Sequence, residues 1–471
     1  MAGILSTLNQ TVMALSAHSR AIEITGKNLA NVNNPDYARQ RVVLGDRGTV
    51  ITPQGAESLG LEALGVQQIR DALLDQQVMR EIALKAGFEA EQGAFQRAQA
   101  GLGQSIDRTN SVGGITDTDS NGIAGAIDAF FNAFQNFAAR PTDDGERQLL
   151  LQKAAILTDR FHLADTRLAD VQSDLTTEIG ADVSEANALL ASIADLNAQI
   201  GRFEQNAPGT AVDLRDQRQA QIEKLSAILP VEVRNSGGGQ LQVVAKDGGG
   251  ADVILVNLAA VQGTVAFNGT QISAGSPATV LGLGSGSING LLAARDGAIQ
   301  TLRDDLDALA RQFVTSVNAA YNPTNATGDF FVAGGNTAAT ISLVGSLTAA
   351  GLKASDGGPA GDNTIARAVA ALASQSFSIA GGDQIDGTFA NSFGRSVATL
   401  GQALADANVR VANQTNIERL VRGQRDSVSG VSLDEEMADL LKYQRSFQAS
   451  SRVFNVLDEL LDGIVNRLGV G

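Results

Sequence analysis

The stretch LDEEMADLLKYQRSFQASSRVFNVLDELLDGIVNRL, residues 433–468, sets the architecture of the chain. Leu433, Leu440, Phe447, Phe454, Leu461 and Leu468 recur at every seventh residue, and Tyr443, Leu457 and Ile464 each stand three after a member of that series. A seven-residue repeat of this length places one narrow apolar seam along a long helix. Ser432 followed by Glu435 predicts a capping box at its start, and Gly469 a stop at its end.

The other end of the chain mirrors it. Leu5, Leu8, Val12, Leu15, Ile22 and Leu29 form a second narrow row, completed by Ser19 and Gly26. The segment NLANVNNPDYARQ, residues 28–40, stops that helix. Asn competes for backbone hydrogen bonds, and the residue before Pro35 avoids helical torsions. Two helices of this kind at opposite ends of one chain imply a coiled-coil pair. Such a pair buries little apolar surface alone, so its seams suit either neighbouring copies or the chain's own body.

Between the ends, apolar periodicity predicts helices over 66–104, 123–139, 143–205 (long enough to contain breaks), 211–229, 288–321, 364–376 and 388–425. Leu302, Leu306, Leu309, Phe313 and Val317 show the helical spacing well. Residues 230–275 alternate apolar and polar positions around Gly turns, the pattern of hairpins. Residues 328–360 form a shorter strand-and-loop excursion. The expected fold is mainly α with a smaller inserted β region. Its parts are a terminal helix and corner (1–45), a first helical layer (46–229), a β module (230–287), a second helical layer (288–427) and a C-terminal coiled-coil helix (428–471).

At 471 residues the chain is long enough for several cores. Trp is absent, aromatics make up 4%, and mean hydropathy is +0.01, so burial rests on Leu, Val, Ile and Ala, as in long packed helices. A formal charge of −16 argues against nucleic acid or an anionic membrane as partner. No apolar run approaches a membrane span, and the N-terminus lacks the pattern of a cleaved secretory signal. The absence of cysteine fits a reducing compartment or a chain exported unfolded.

Little in the sequence suggests chemistry. Asp117, Asp119, Asn121 and Asp128 stand at calcium-loop positions, but no helix leads into the loop and Asp is short for the last ligand. A loop capping the helix from Ile123 explains the same residues. The glycines of LGLGSGSINGLLAAR, residues 281–295, lack dinucleotide or P-loop spacing and indicate a connector. His18 and His162 lie in helical runs with no nucleophile context. Phe130, Phe131, Phe134 and Phe137 repeat at helical spacing, which suits a core, with part of the stripe available to a neighbour. No catalytic residue and no cofactor is indicated.

ALSAHSRAIEITGKNLANVNNPDYARQ resembles the N-terminal signature of bacterial flagellar axial proteins, an Asn-Leu-Ala-Asn run followed by an Asn-Thr-Pro-Gly-Tyr corner. Asn28, Leu29, Ala30, Asn31, Asn33, Pro35 and Tyr37 match; Asn34 replaces Thr and Asp36 replaces Gly. If the corner needs a positive φ at Asp36, Asp costs more there than Gly. IDAFFNAFQNFAARPTDDGERQLLLQKAAILTDRFH, the AVDLRDQRQAQIEKLSAILPVEVRN segment and GDNTIARAVAAL narrow the resemblance to the hook-associated (FlgK-type) family. The resemblance implies an elongated multidomain axial architecture. Its inner coiled-coil layer would use the two seams, and Asn31, Asn33, Pro35 and Tyr37 would turn the chain outward. It implies a ring of copies joining hook protein to the filament adaptor, outside the cell. It also implies export unfolded without a cleaved signal, and an FlgN-type chaperone on the C-terminal helix, with Leu440, Phe447 and Phe454 as its contacts. Another axial protein is the nearest alternative, and a secreted calcium-binding adhesin or hydrolase with axial-type ends the one from a different class.

Because seam burial repeats at each helix contact, Leu440→Asp or Leu457→Asp is expected to impair assembly more than an equivalent change within 236–250. Counting filaments per cell by electron microscopy checks this, and equal effects would exclude the helix as an interface.

Overall fold

The computed structural model describes residues 2–46, 48–52, 55–102, 122–325, 328–359 and 361–464. The chain forms two compact units. One comprises residues 1–85, 183–286 and 414–471, the other residues 86–182 and 287–413. No described helix is long and apolar enough to cross a membrane.

The first unit opens with α1 (Ala2–Ala30), followed by β1 (Gln40–Asp46), β2 (Thr49–Thr52), β3 (Gly55–Ser58) and β4 (Leu61–Gln68). β1 pairs antiparallel with β4, from Gln40 opposite Gln68 to Asp46 opposite Leu61, with a bulge at Val43/Leu44, and β2 pairs with β3. These hairpins correct the expectation of a helical layer from residue 46 and of a helix from residue 66. The stretch is rich in Val, Ile, Thr and Gly, and Val66 belongs to β4. The helix that follows, α2 (Ala72–Leu102), starts where the Asp71 carboxylate accepts the N–H groups of Leu73 and Leu74.

Helix α3 (Ile123–Ala139) precedes α4 (Asp144–Phe203), which is unbroken over 60 residues, and α5 (Val212–Ile228). The β module then runs β5 (Glu232–Gly237), β6 (Gln240–Lys246), β7 (Asp252–Asn257), β8 (Ala260–Val261), β9 (Ala266–Phe267), β10 (Ile272–Ala274) and β11 (Thr279–Val280). The first four make one antiparallel meander and the last three another. Asn197 of α4, fully buried, fastens the meander: its amide donates to the Leu241 and Leu258 carbonyls and accepts the Leu241 N–H.

The run predicted over 288–321 is α6 (Ser287–Ala294) and α7 (Gln300–Tyr321), joined by a π turn at Arg295–Ile299 in which Gly297 leaves helical torsions (φ −94°, ψ −107°). The glycines before it serve close packing, not phosphate binding. A Cβ on Gly286 would collide with the Ile228 carbonyl, and one on Gly290 with the Gly87 carbonyl. The chain finishes with α8 (Thr364–Ala371), α9 (Phe389–Ser429) and α10 (Leu433–Asp462).

The second unit is built on aromatic packing. Phe130 lies 5.0 Å from Phe134 and 5.1 Å from Phe313, and Phe330 lies 5.0 Å from Phe331, all fully buried. The α3 stripe is therefore core, and none of Phe130, Phe131, Phe134 or Phe137 is left for a neighbour. The excursion after α7 is held largely by its backbone. Asn318 bonds both the N–H and the carbonyl of Phe331, His162 donates to the Ile341 carbonyl, and Arg147 donates to the Ala349 and Leu352 carbonyls.

Phe130→Ala removes the ring at the centre of this cluster, so chemical denaturation is expected to show a loss of about 3–5 kcal/mol. A loss under about 1 kcal/mol would mean that the cluster collapses around the gap.

Candidate functional site: a polar junction under the terminal helix pair

Helix α1 has two dissimilar faces. Thr11, Ala17, Ala21, Ile24, Thr25 and Asn28 are buried, with Ile24 packed on Val66 and Val212. The row predicted as the seam lies on the other side of the helix: Leu5 and Val12 are 55% and 44% exposed, and Leu8, Leu15, Ile22 and Leu29 are half-buried. Helix α10 packs against α1 within the same chain. Its half-buried row contains Leu440, Tyr443, Phe454, Leu457, Leu461 and Ile464, as the heptads predict. Phe447 is 37% exposed, while Leu433 at the first turn is outside the row and exposed. The C-terminal seam is thus largely used inside the chain, and the N-terminal row is half-buried except at Leu5 and Val12, which are open. Gly469 lies outside the described residues.

At the base of this pair the apolar row of α1 ends in Asn28, 2% exposed, whose amide makes four hydrogen bonds. Its Oδ1 accepts the Gln40 N–H (3.0 Å) and the Tyr37 hydroxyl (2.8 Å). Its Nδ2 donates to the Gln40 carbonyl (2.8 Å) and to Glu436 Oε2 (2.9 Å). Asn28 thereby closes the corner as a strand partner would and ties it to the first turn of α10. Only an amide of this length offers both donor and acceptor here.

The corner itself is polar and local. Asn31 donates to the Lys27 carbonyl, Asn34 to Asn31, and the Asp36 N–H to Asn34 Oδ1. Asn33 and Pro35 are exposed. Among the described residues only Leu258 and Asn325 are non-glycines with positive φ, so Asp36 bears no strain where the family pattern has Gly. Two guanidiniums hold the corner's carbonyls: Arg70 binds that of Asp36, and Arg425 that of Pro35.

A ring of ion pairs surrounds Asn28. Arg39 joins Glu436 at 2.7 Å and Glu435 at 2.5 Å, while its backbone N–H bonds the last carbonyl of α9, on Ser429. Ser432 caps α10 by accepting the Glu435 N–H, and the acidic first turn complements the helix dipole. Arg70 links Asp216 (2.8 Å) and Asp75 (3.3 Å), and Arg425 holds Glu223 (2.7 Å). Burial pushes the Asp216 and Asp75 carboxyls upward, with Arg70 pulling them back. Burial, with Asp216, Asp213 and Glu436 around it, also pushes the Tyr37 phenol well up, so that hydroxyl stays protonated and keeps donating to Asn28.

Sequence reasoning found Tyr37, Asn31 and the capping box but did not assign the junction to Asn28, Arg39, Arg70, Asp216 and Glu436. One signal was present: a lone Asn continues the row Ala17, Ala21, Ile24. Of the calcium-loop residues, Asp117, Asp119 and Asn121 lie outside the described residues, and Asp128 is exposed on α3. Among the described residues no group of three or more acidic or histidine side chains is placed to hold a metal. His18 is half-buried on α1, and burial lowers its pKa.

Asn28→Leu strands the Gln40 backbone and Glu436 in a buried site. The expected loss is about 1–3 kcal/mol for each group left unpaired, against far less for Leu5→Ala at an exposed position. Unfolding titrations of the two variants check the ranking. A double-mutant cycle with Glu436→Gln should give coupling of about 0.5–3 kcal/mol, and additivity would dissociate Asn28 from α10.

Residues 110–330 match the model of the flagellar hook-associated protein FlgK helical domain, and residues 423–468 that of the flagellar basal body rod FlgEFG protein C-terminal region. The chain is 26% identical to flagellar hook-associated protein 1 of Bacillus subtilis, covering 97% of each. It is 24% identical to flagellar hook-associated protein 1 of Salmonella typhimurium and 23% to that of Escherichia coli, covering 98% of this chain and 99% of each relative. The flagellar hook junction protein FlgK from Burkholderia pseudomallei is 23% identical and superposes with a TM-score of 0.46, over 55% of this chain and 46% of that one. The chain thus contains a region that matches the FlgK helical domain, and along nearly its whole length it is similar to flagellar hook-associated proteins.

Proposed function

We propose that this chain is a structural subunit of the bacterial flagellum, assembling as a ring on the hook tip and joining the hook to the filament adaptor. The observation that carries the reading is the partly uncovered apolar row of α1, exposed at Leu5 and Val12. Leu5, Leu8, Val12, Leu15, Ile22 and Leu29 form an apolar row 29 residues from end to end of the helix that bears it, and the chain's own α10 does not cover Leu5 or Val12. Such a row is satisfied by packing against other copies.

In this reading the role is mechanical and involves no catalysis. Residues 1–45 and 428–471 supply the axial layer, the corner at Asn31, Asn33, Pro35 and Tyr37 sets where the chain leaves it, and the β module at 230–287 is peripheral. Partners are further copies, hook protein and the second hook-associated protein. An FlgN-type chaperone would meet Leu440, Phe447 and Phe454 before export, when α10 is not yet paired with α1. Export unfolded suits a chain without cysteine. Terminal helices are common to axial proteins, and the match of residues 110–330 to the FlgK helical domain favours the hook-associated reading over hook protein or adaptor.

Electron microscopy of cells lacking the protein tests this. Bare hooks, with filament subunits shed into the medium, are expected; intact filaments would overturn the assignment.

A further inference from the structure

The outer side of α10 carries a feature that pairing with α1 does not use. Between Asp439 and Asp458 the helix has no carboxylate, in a chain of net charge −16, yet it bears Lys442, Arg445 and Arg452. Arg445 and Arg452 are exposed, and neither is in an ion pair among the described residues. Seven residues apart, they stand on one side of the helix about 10 Å from each other. Around them Val453 and Val456 are 49% and 56% exposed.

The same unit holds a surface of opposite character. A groove of about 780 Å³ runs between the corner and the helices α4 and α5, lined by four carboxylates, Asp36, Asp195, Asp213 and Asp216, against two lysines, Lys27 and Lys224. Asp36, Asp195 and Asp213 are exposed and lack an ion-pair partner among the described residues. Every copy presents both surfaces, and among the described residues no ion pair joins Arg445 or Arg452 to the groove.

We propose that the outer side of α10, through Arg445, Arg452 and Val456, docks in the carboxylate groove of a second copy. The inference rests on the assembly reading above and names the contact that would propagate it. Two different surfaces meeting head to tail repeat from copy to copy until a ring closes. Guanidinium–carboxylate pairs would fix the register, and the valines would dry the contact.

The chain has no cysteine, so an introduced pair reports one contact only. The full chain carrying Arg452→Cys with Asp195→Cys, assembled on hooks and oxidised, is expected to give a ladder of cross-linked multimers that neither single variant gives. Arg445→Glu with Arg452→Glu should cut filament attachment about tenfold, and adding Asp36→Arg with Asp195→Arg should restore most of it. Circular dichroism and thermal melts of these surface variants, unchanged from the parent, would exclude misfolding. Hooks that carry the doubly substituted chain but give no ladder would overturn the contact and leave the junction role standing. Full attachment after charge reversal would do the same. Absence of the unmodified chain from hooks would overturn both.

Discussion

The primary amide of Asn28 holds together three parts of the chain that the rest of the first unit depends on. One side chain bonds both backbone groups of Gln40, the Tyr37 hydroxyl, and a carboxylate 408 residues away on α10. Where α1 ends, where the chain turns and where α10 begins are thus fixed at one point. Glu436, 2% exposed, is tolerable there because Arg39 and Asn28 satisfy it. Buried ionic groups of this kind add little net stability, but removing one partner is costly, so the cluster acts mainly on register. A helix pair one turn out of register would part Glu436 from both Asn28 and Arg39.

Around this fixed point α1 departs from the usual distribution of residues. Its buried face joins Ile24 to the small Ala17, Ala21 and Thr25 and ends in Asn28, while Leu5 and Val12 are exposed and Leu8, Leu15, Ile22 and Leu29 only half-buried. A helix made for a solitary soluble protein places Leu and Val inside. The exposed Leu5 and Val12 would be covered if further protein packs on this side of α1, as the proposed assembly requires.

The sequence made the helices legible because their periodicity is long: the predicted limits of α3, α4, α5 and α9 agree with the structure to within a few residues at most ends. The hairpins of residues 40–68 were not legible, since their strands are short, irregular and only half-buried, and the helical pattern of α2 extends visually into β4. Six of the predicted positions on α10, Leu440, Tyr443, Phe454, Leu457, Leu461 and Ile464, fall on the half-buried row, whereas Leu433 and Phe447 are exposed. The buried positions of α1 were less legible, because two rows share that helix and the one with larger residues dominates any count of apolar spacing, although the interior uses mainly Ala and Thr. The polar junction was least legible: Arg70, Asp75, Asp216 and Glu223 are distant in sequence, and no local pattern marks such residues as partners.

The excursion after α7 illustrates a different economy of information. Side chains from the helices, Asn318, His162 and Arg147 among them, grip its peptide groups, and every residue except proline offers the same two groups. Between Ile341 and Leu352, where Gly345, Ser346, Thr348 and Ala350 face solvent, the path of the chain is therefore nearly indifferent to which amino acids follow it. This makes the segment a natural graft point, where a foreign epitope or affinity tag can be spliced in while the surrounding framework keeps its shape.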